Sequence, residues 1–258
     1  MLQLTSIPTI KVEGVRVPKL LIGTNSLLGW SHTSVGRDRW IKRYYSANRI
    51  GRVFERCIKL GVNGVFGPVW PRLIEAIKIA EKKTGQQMTF ISTTIGKRED
   101  TEKQLKMLNG MYSPICCIHG GWTDSWPVEN GKLVGFEKYL QLIRKAGLVP
   151  GVACHNGDKL KLVNDGGYDV SVLVTPVNRL GFQMHPNQKM ILDVIRSTQK
   201  PVIAIKPLAS GRFDEGKISE WLEWVLKQNG VSALCIGFMN QEEAEEDIAI
   251  MNNLCRLS

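Results

Sequence analysis

Four histidines occur in this 258-residue chain, His32, His119, His155 and His185, and each either ends a short apolar run or lies in the loop after one. Imidazole titrates near neutral pH, so His119 and His155 are candidate general acid and base groups, with Asp124 as a nearby carboxylate partner. Three imidazoles brought together, His32, His119 and His155, could instead hold a divalent metal with one position open to water. No H-x-x-x-H or H-E-x-x-H spacing occurs, so the metal reading rests on position at the ends of apolar runs alone. A histidine held by a backbone carbonyl at the end of a buried run is the plain alternative for His119.

Lys206 is the sharpest single residue. It follows "PVIAI" and precedes Pro207, so its ammonium must stand at the mouth of an apolar segment. There it could hold an anion, which is the preferred reading, or form a Schiff base if desolvated. The turn "PLASGRF" after it carries Ser210, Gly211 and Arg212, and "GFMNQEEAEED" further on carries Gly237 and Asn240. Such turns leave backbone N–H groups free for phosphate. With Asn156 and Asn178 they complete the expected binding set, although a glycine after a strand can also do no more than shape a turn.

The elements that must position these residues alternate in a regular way. Eight apolar runs, at 19–25, 61–67, 88–94, 114–120, 149–156, 170–178, 201–207 and 231–238, are joined by segments of helical spacing such as 52–61, 71–85, 135–147, 188–198, 218–230 and 241–254. Near-continuous apolar strands between amphipathic helices indicate a parallel sheet covered on its outside. Eight such units predict a (β/α)8 TIM barrel, read here as a single domain over 1–258. The count, and the lack of a G-x-G-x-x-G turn after the first strand, disfavour an open doubly wound sheet. The segment 9–18 reads as an N-terminal β-hairpin plugging the barrel floor. In such a barrel the active site lies at the C-terminal ends of the strands, where the candidate residues fall.

Composition bounds the setting. No run of 18 apolar residues and no signal-peptide pattern is present, and the six cysteines form no C-x-x-C pair. These features predict reduced thiols, a cytoplasmic location and no membrane partner. A net charge of +10 is concentrated in 36–56, where arginines mix with Trp40, Tyr44 and Tyr45. That pattern could grip nucleic acid, but no nucleic-acid motif accompanies it, so a solvated helix face is preferred.

"IKVEGVRVPKLLIGTN", "GVNGVFGPVW", "IKPLASGRF" and "CIGFMNQEEAEED" together resemble the aldo-keto reductase superfamily. The resemblance implies a barrel binding NADPH and a tetrad of aspartate, tyrosine, lysine and histidine. Only His119 matches that tetrad: Phe66 stands at the aspartate position, Trp70 near the tyrosine, and Thr93 or Thr94 at the lysine. Ala153 and Cys154 replace the serine and asparagine that read the nicotinamide amide, and Val174 replaces the glutamine. The resulting expectation is a small-molecule enzyme on a divergent reductase-like barrel, non-redox and of hydrolase or lyase type, with an anionic or phosphorylated substrate. Its cofactor is unknown, with a divalent metal ranked ahead of NADP. The alternative is an NAD(P)H-dependent carbonyl reductase with an altered proton donor, and the third reading is a non-catalytic binding protein.

Overall fold

The computed structural model describes residues 7–213 and 217–257; the first six residues, where the segment without a signal-peptide pattern begins, lie outside this range. Eight parallel strands close a barrel: β3 (Leu20–Gly23), β4 (Gly64–Pro68), β5 (Thr89–Thr93), β6 (Ile115–Ile118), β9 (Val149–Ala153), β10 (Val172–Pro176), β11 (Val202–Ile205) and β12 (Val231–Gly237). Every apolar run expected to be a strand is one. Closure of β9 on β10 and of β12 on β3 leaves no sheet edge, which rules out the open doubly wound alternative.

Alternation along each strand divides the apolar side chains between two layers. Leu21, Ile91, Ile115, Cys117, Val172, Val174 and Ile203 fill the barrel interior. Leu20, Phe90, Cys116, Ile118 and Leu173 face the helices. The adjacent Cys116 and Cys117 thus belong to opposite faces, both as small buried hydrophobes.

A hairpin of β1 (Thr9–Val12) and β2 (Val15–Pro18) forms its own two-stranded sheet, and Val12 and Val17 pack into the interior cluster from below. Its turn is fastened by Glu13, whose carboxylate receives Arg144 at 2.6 Å while Arg144 also grips Asp169 at 2.7 Å.

Around the barrel lie α3 (Ala47–Lys59), α4 (Pro71–Thr84), α5 (Thr101–Met107), α7 (Glu137–Lys145), α8 (Gly157–Asp165), α9 (Gln188–Ser197), α10 (Ile218–Leu226) and α11 (Gln241–Leu257). Their ends carry local signals. Ser46 caps α3 by accepting from the Arg49 N–H, and α4 opens on Pro71 and stops at Gly85, with φ +69°.

The rim adds elements that hydrophobic spacing did not reveal: α1 (Asn25–Leu28), α2 (Val35–Tyr44), the one-turn α6 (Gly120–Asp124) and a small hairpin, β7 (Val128–Glu129) with β8 (Lys132–Leu133). The basic run 36–56 is split between α2 and α3. Its Arg37 faces the barrel mouth, Arg49 stacks on Tyr44, and Arg56 pairs with Glu245 at 2.6 Å. Among the described residues no helix is long and apolar enough to cross a membrane.

Candidate active site

The C-terminal ends of the strands open into a cavity of about 880 Å³, in the size range of small-molecule sites. Trp30, Phe66, Trp70, Ile205 and Phe213 give it apolar walls, and His32, His119, His155 and Lys206 bring polar groups to it.

His119 follows β6 and caps α6. Its Nδ1 accepts the Gly121 N–H at 3.1 Å, and its own N–H donates to Thr94 Oγ1 at 3.0 Å. The ring's neutral form therefore carries its proton on Nε2. Burial, with the neighbouring His155, pushes its pKa down to about 4, so at neutral pH it is an uncharged N–H donor.

His155 follows β9, two residues past the strand's end. Expectation ran that strand to residue 156, but the chain turns earlier because Asp124 captures it. Asp124 Oδ1 accepts the backbone N–H groups of His155 at 2.7 Å and Asn156 at 3.1 Å, and the Cys154 thiol at 3.3 Å. Its Oδ2 lies 2.7 Å from His155 Nδ1. Burial pushes the Asp124 carboxyl up, but these donors outweigh it and the net shift is downward.

The same imidazole presents Nε2 to Lys206 Nζ at 2.9 Å. With Nδ1–H given to Asp124, Nε2 is the acceptor and the lysine donates. Lys206 sits just past β11 with φ +55°, a left-handed conformation costly for a residue with a Cβ. Burial pushes its pKa down to about 8, against the opposing pull of Asp124. An Asp124–His155–Lys206 chain thus crosses the barrel mouth from the end of α6 to β11.

His32, at φ +57°, also lines the cavity, but its ring is held between Gln183 Nε2 at 3.1 Å and Asn25 Nδ2 at 3.5 Å. The shared-metal expectation fails on this geometry. Both nitrogens of His155 are engaged by Asp124 and Lys206, and Nδ1 of His119 by Gly121. Among the described residues no group of three His, Cys, Asp or Glu side chains could hold a metal ion.

The expected binding residues divide. Ser210, Gly211 and Gly237 line the cavity. Asn156 caps α8 through the Lys159 N–H, Asn240 caps α11 through the Glu243 N–H, and Asn178 is tied to both backbone groups of Phe182. Arg212 donates to the carbonyls of Ala209 and His32, bracing the rim. His185 forms a bridge with Asn156 beside the start of α8.

The spacing of the sequence missed Gln183 and Asp247. Asp247 is 5% exposed and lines the cavity, where burial and the charges of Glu246 and Glu243 raise its pKa to about 7. Its place in the acidic run "EEAEED" made it look like solvated helix surface.

The residues that the resemblance sets at the tetrad positions lie at or beside the cavity. Phe66, Trp70 and Thr93 line the cavity, and Thr94 supports His119. Ala153 reaches its floor, while Val174 is buried in the barrel interior.

No protein-family model and no curated protein matches the chain. Solved structures do. A Pseudomonas aeruginosa protein described as an aldo-keto reductase superposes with a TM-score of 0.67 at 15% identity, over 97% of this chain and 98% of its own. The barrel is built like an aldo-keto reductase.

The thermostable aldo-keto reductase Tm1743, solved with the inhibitor epalrestat, has a TM-score of 0.62 at 16% identity over 97% of this chain and 99% of its own. A Klebsiella pneumoniae aldo/keto reductase in complex with NADP and acetate has a TM-score of 0.62 at 14% identity over 98% and 95%. These neighbours correct two expectations. A non-redox hydrolase or lyase loses its ground to the reductase alternative, and NADP displaces a metal as the leading cofactor candidate.

Proposed function

We propose that this chain is a cytoplasmic, nicotinamide-dependent carbonyl reductase in which Lys206, not a tyrosine, delivers the proton. The observation that carries the reading is the Asp124–His155–Lys206 chain at the wall of the cavity, facing an apolar and aromatic space. A dinucleotide fits what surrounds it. Trp30, Phe66, Trp70 and Phe213 suit a planar ring. The turn after β11 sets Lys206, Ala209, Ser210 and Gly211 at positive φ, a backbone form that makes anion-binding concavities, and Ser210 and Gly211 would hold the phosphates. The anionic small molecule expected from the sequence is, on this reading, the dinucleotide itself.

When bound, the nicotinamide supplies hydride to the carbonyl carbon. The chain's own groups do the rest. Neutral His119 polarises the carbonyl through its Nε2–H, as a donor that needs no charge. Lys206, with its pKa near 8, is largely protonated at neutral pH yet acidic enough to release the proton to the developing alkoxide. His155, held by Asp124, fixes the ammonium in place and offers a path for its reprotonation.

Titration with NADPH, followed by quenching of tryptophan fluorescence, tests the reading, since Trp30 and Trp70 line the cavity. Saturable micromolar binding, followed by NADPH oxidation with a panel of ketones, is expected. Absence of saturable binding overturns it.

A further inference from the structure

Lys206 is half-buried, and it is placed in an unusual way for a lysine withdrawn from much of its water. A buried ammonium ordinarily has a carboxylate in contact, because an unpaired charge away from water is costly. Among the described residues the hydrogen-bond partner of Lys206 Nζ is His155 Nε2, at 2.9 Å, and no carboxylate touches it. The carboxylate of Asp124 is one imidazole further away, bonded to the opposite ring nitrogen. The other titratable groups around the amine are Cys235 on β12, whose thiol burial pushes up to about 12, and the neutral rings of His119 and His32. The amine faces a cavity large enough for a small organic molecule.

When Lys206 is neutral, one of its N–H bonds is given to His155 Nε2 and its lone pair is left free, beside a base already polarised by Asp124. We propose that Lys206 is a nucleophile that forms an imine with small aldehydes entering the barrel mouth, an activity separate from hydride transfer. The Nζ lone pair bonds to the carbonyl carbon as the C=O π pair moves to oxygen. One Nζ proton passes to His155 Nε2 and from there to the oxygen, giving a carbinolamine. Taking up one further proton from solvent through the same imidazole, the hydroxyl leaves as water while the nitrogen lone pair forms the C=N bond. The balance is amine plus aldehyde plus one proton, giving a protonated imine and water, with no oxidant, reductant or nicotinamide.

Selectivity over other lysines follows from ionisation. At pH 7 an amine with a pKa near 8 is neutral in about one molecule in ten, against about one in 2,500 for an ordinary lysine. Lower basicity reduces intrinsic nucleophilicity, so a rate advantage of about tenfold or more is expected.

Full-length protein without nicotinamide is incubated with propanal and cyanoborohydride at pH 7, and propylation of each lysine is followed by peptide mass spectrometry. Lys206 is expected to label at least about tenfold faster than the median lysine, with a rate that rises with pH to a plateau above about 8. His155→Gln, its fold checked by thermal melting, is expected to slow labelling of Lys206 about tenfold while other lysines keep their rates. Labelling of Lys206 at or below the median rate in the wild-type protein overturns the proposal without need of the variant. So does a folded His155→Gln protein that labels as the wild type does. Because no cofactor is present, either result is independent of whether the chain reduces carbonyls.

Discussion

Lys206 and His119 share one cavity and burial pushes both pKa values down, yet they differ in charge at neutral pH because an amine starts well above an imidazole. Burial, with His155 nearby, takes His119 down to about 4 and leaves it neutral, whereas Lys206 is lowered by burial only to about 8, with Asp124 pulling the other way. If Lys206 is the proton donor, Lys206→Met is expected to lower kcat/KM for ketone reduction by about 10²–10⁴ while leaving NADPH affinity within a few-fold. The pH profile carries a sign. The acid form is the working form, so kcat/KM is expected to fall as pH rises through about 8, and the Lys206→Met variant is expected to lose that limb. A steady-state series between pH 6 and 10 checks both. At this scale the histidines, Asp124 and Lys206 were legible from residue type and position at the ends of apolar runs. The bonds that assign their roles were not, because they join residues 31 and 51 positions apart.

Short elements at the rim hold the Asp124–His155–Lys206 chain in place. The one-turn α6 is capped by His119 and ends at Asp124, so a single turn positions both the neutral imidazole and the carboxylate. Gly120 in that turn leaves room for the imidazole of His155: a Cβ there would stand 2.6 Å from its Cε1 and 2.9 Å from its Nδ1. Gly120→Ala must displace the ring from Asp124. The expected outcome is a loss of kcat/KM of at least about tenfold, with a thermal stability change under about 3 kcal/mol, since overpacking costs about 1–3 kcal/mol. Parallel kinetics and melting curves check it. The eight barrel strands were readable because each is buried on both sides and shows as a continuous apolar run. Helix α6 was not, since a five-residue helix has no hydrophobic period, and its cap is a histidine side chain bonding its own backbone.

Taken whole, the molecule is a barrel stoppered at one end and open at the other. Val17 of the hairpin is fully buried in the interior cluster, so Val17→Ala is expected to cost about 2 kcal/mol, measured by denaturant unfolding, without altering the pH profile at the far mouth. Asp247 links the open end to stability. Its folded-state pKa of about 7 lies above the ordinary carboxyl value, so its protonated form favours the folded state. That contribution is complete below about pH 4 and is lost as pH rises through about 7. Asp247→Asn is therefore expected to narrow the gap between the melting temperatures at pH 5 and pH 8, a difference scanning calorimetry would show. The sequence by itself determined the strand count, the closed parallel barrel, its hairpin stopper and the end at which the candidate residues gather. All of these follow from the period and length of apolar runs along the chain. Only the tertiary structure decided that the histidines do not share a metal, that His155 stands between Asp124 and Lys206, and that Asp247 turns inward. Those outcomes depend on which strand ends closure brings face to face, and on competition for hydrogen bonds in a buried space, which no local spacing records.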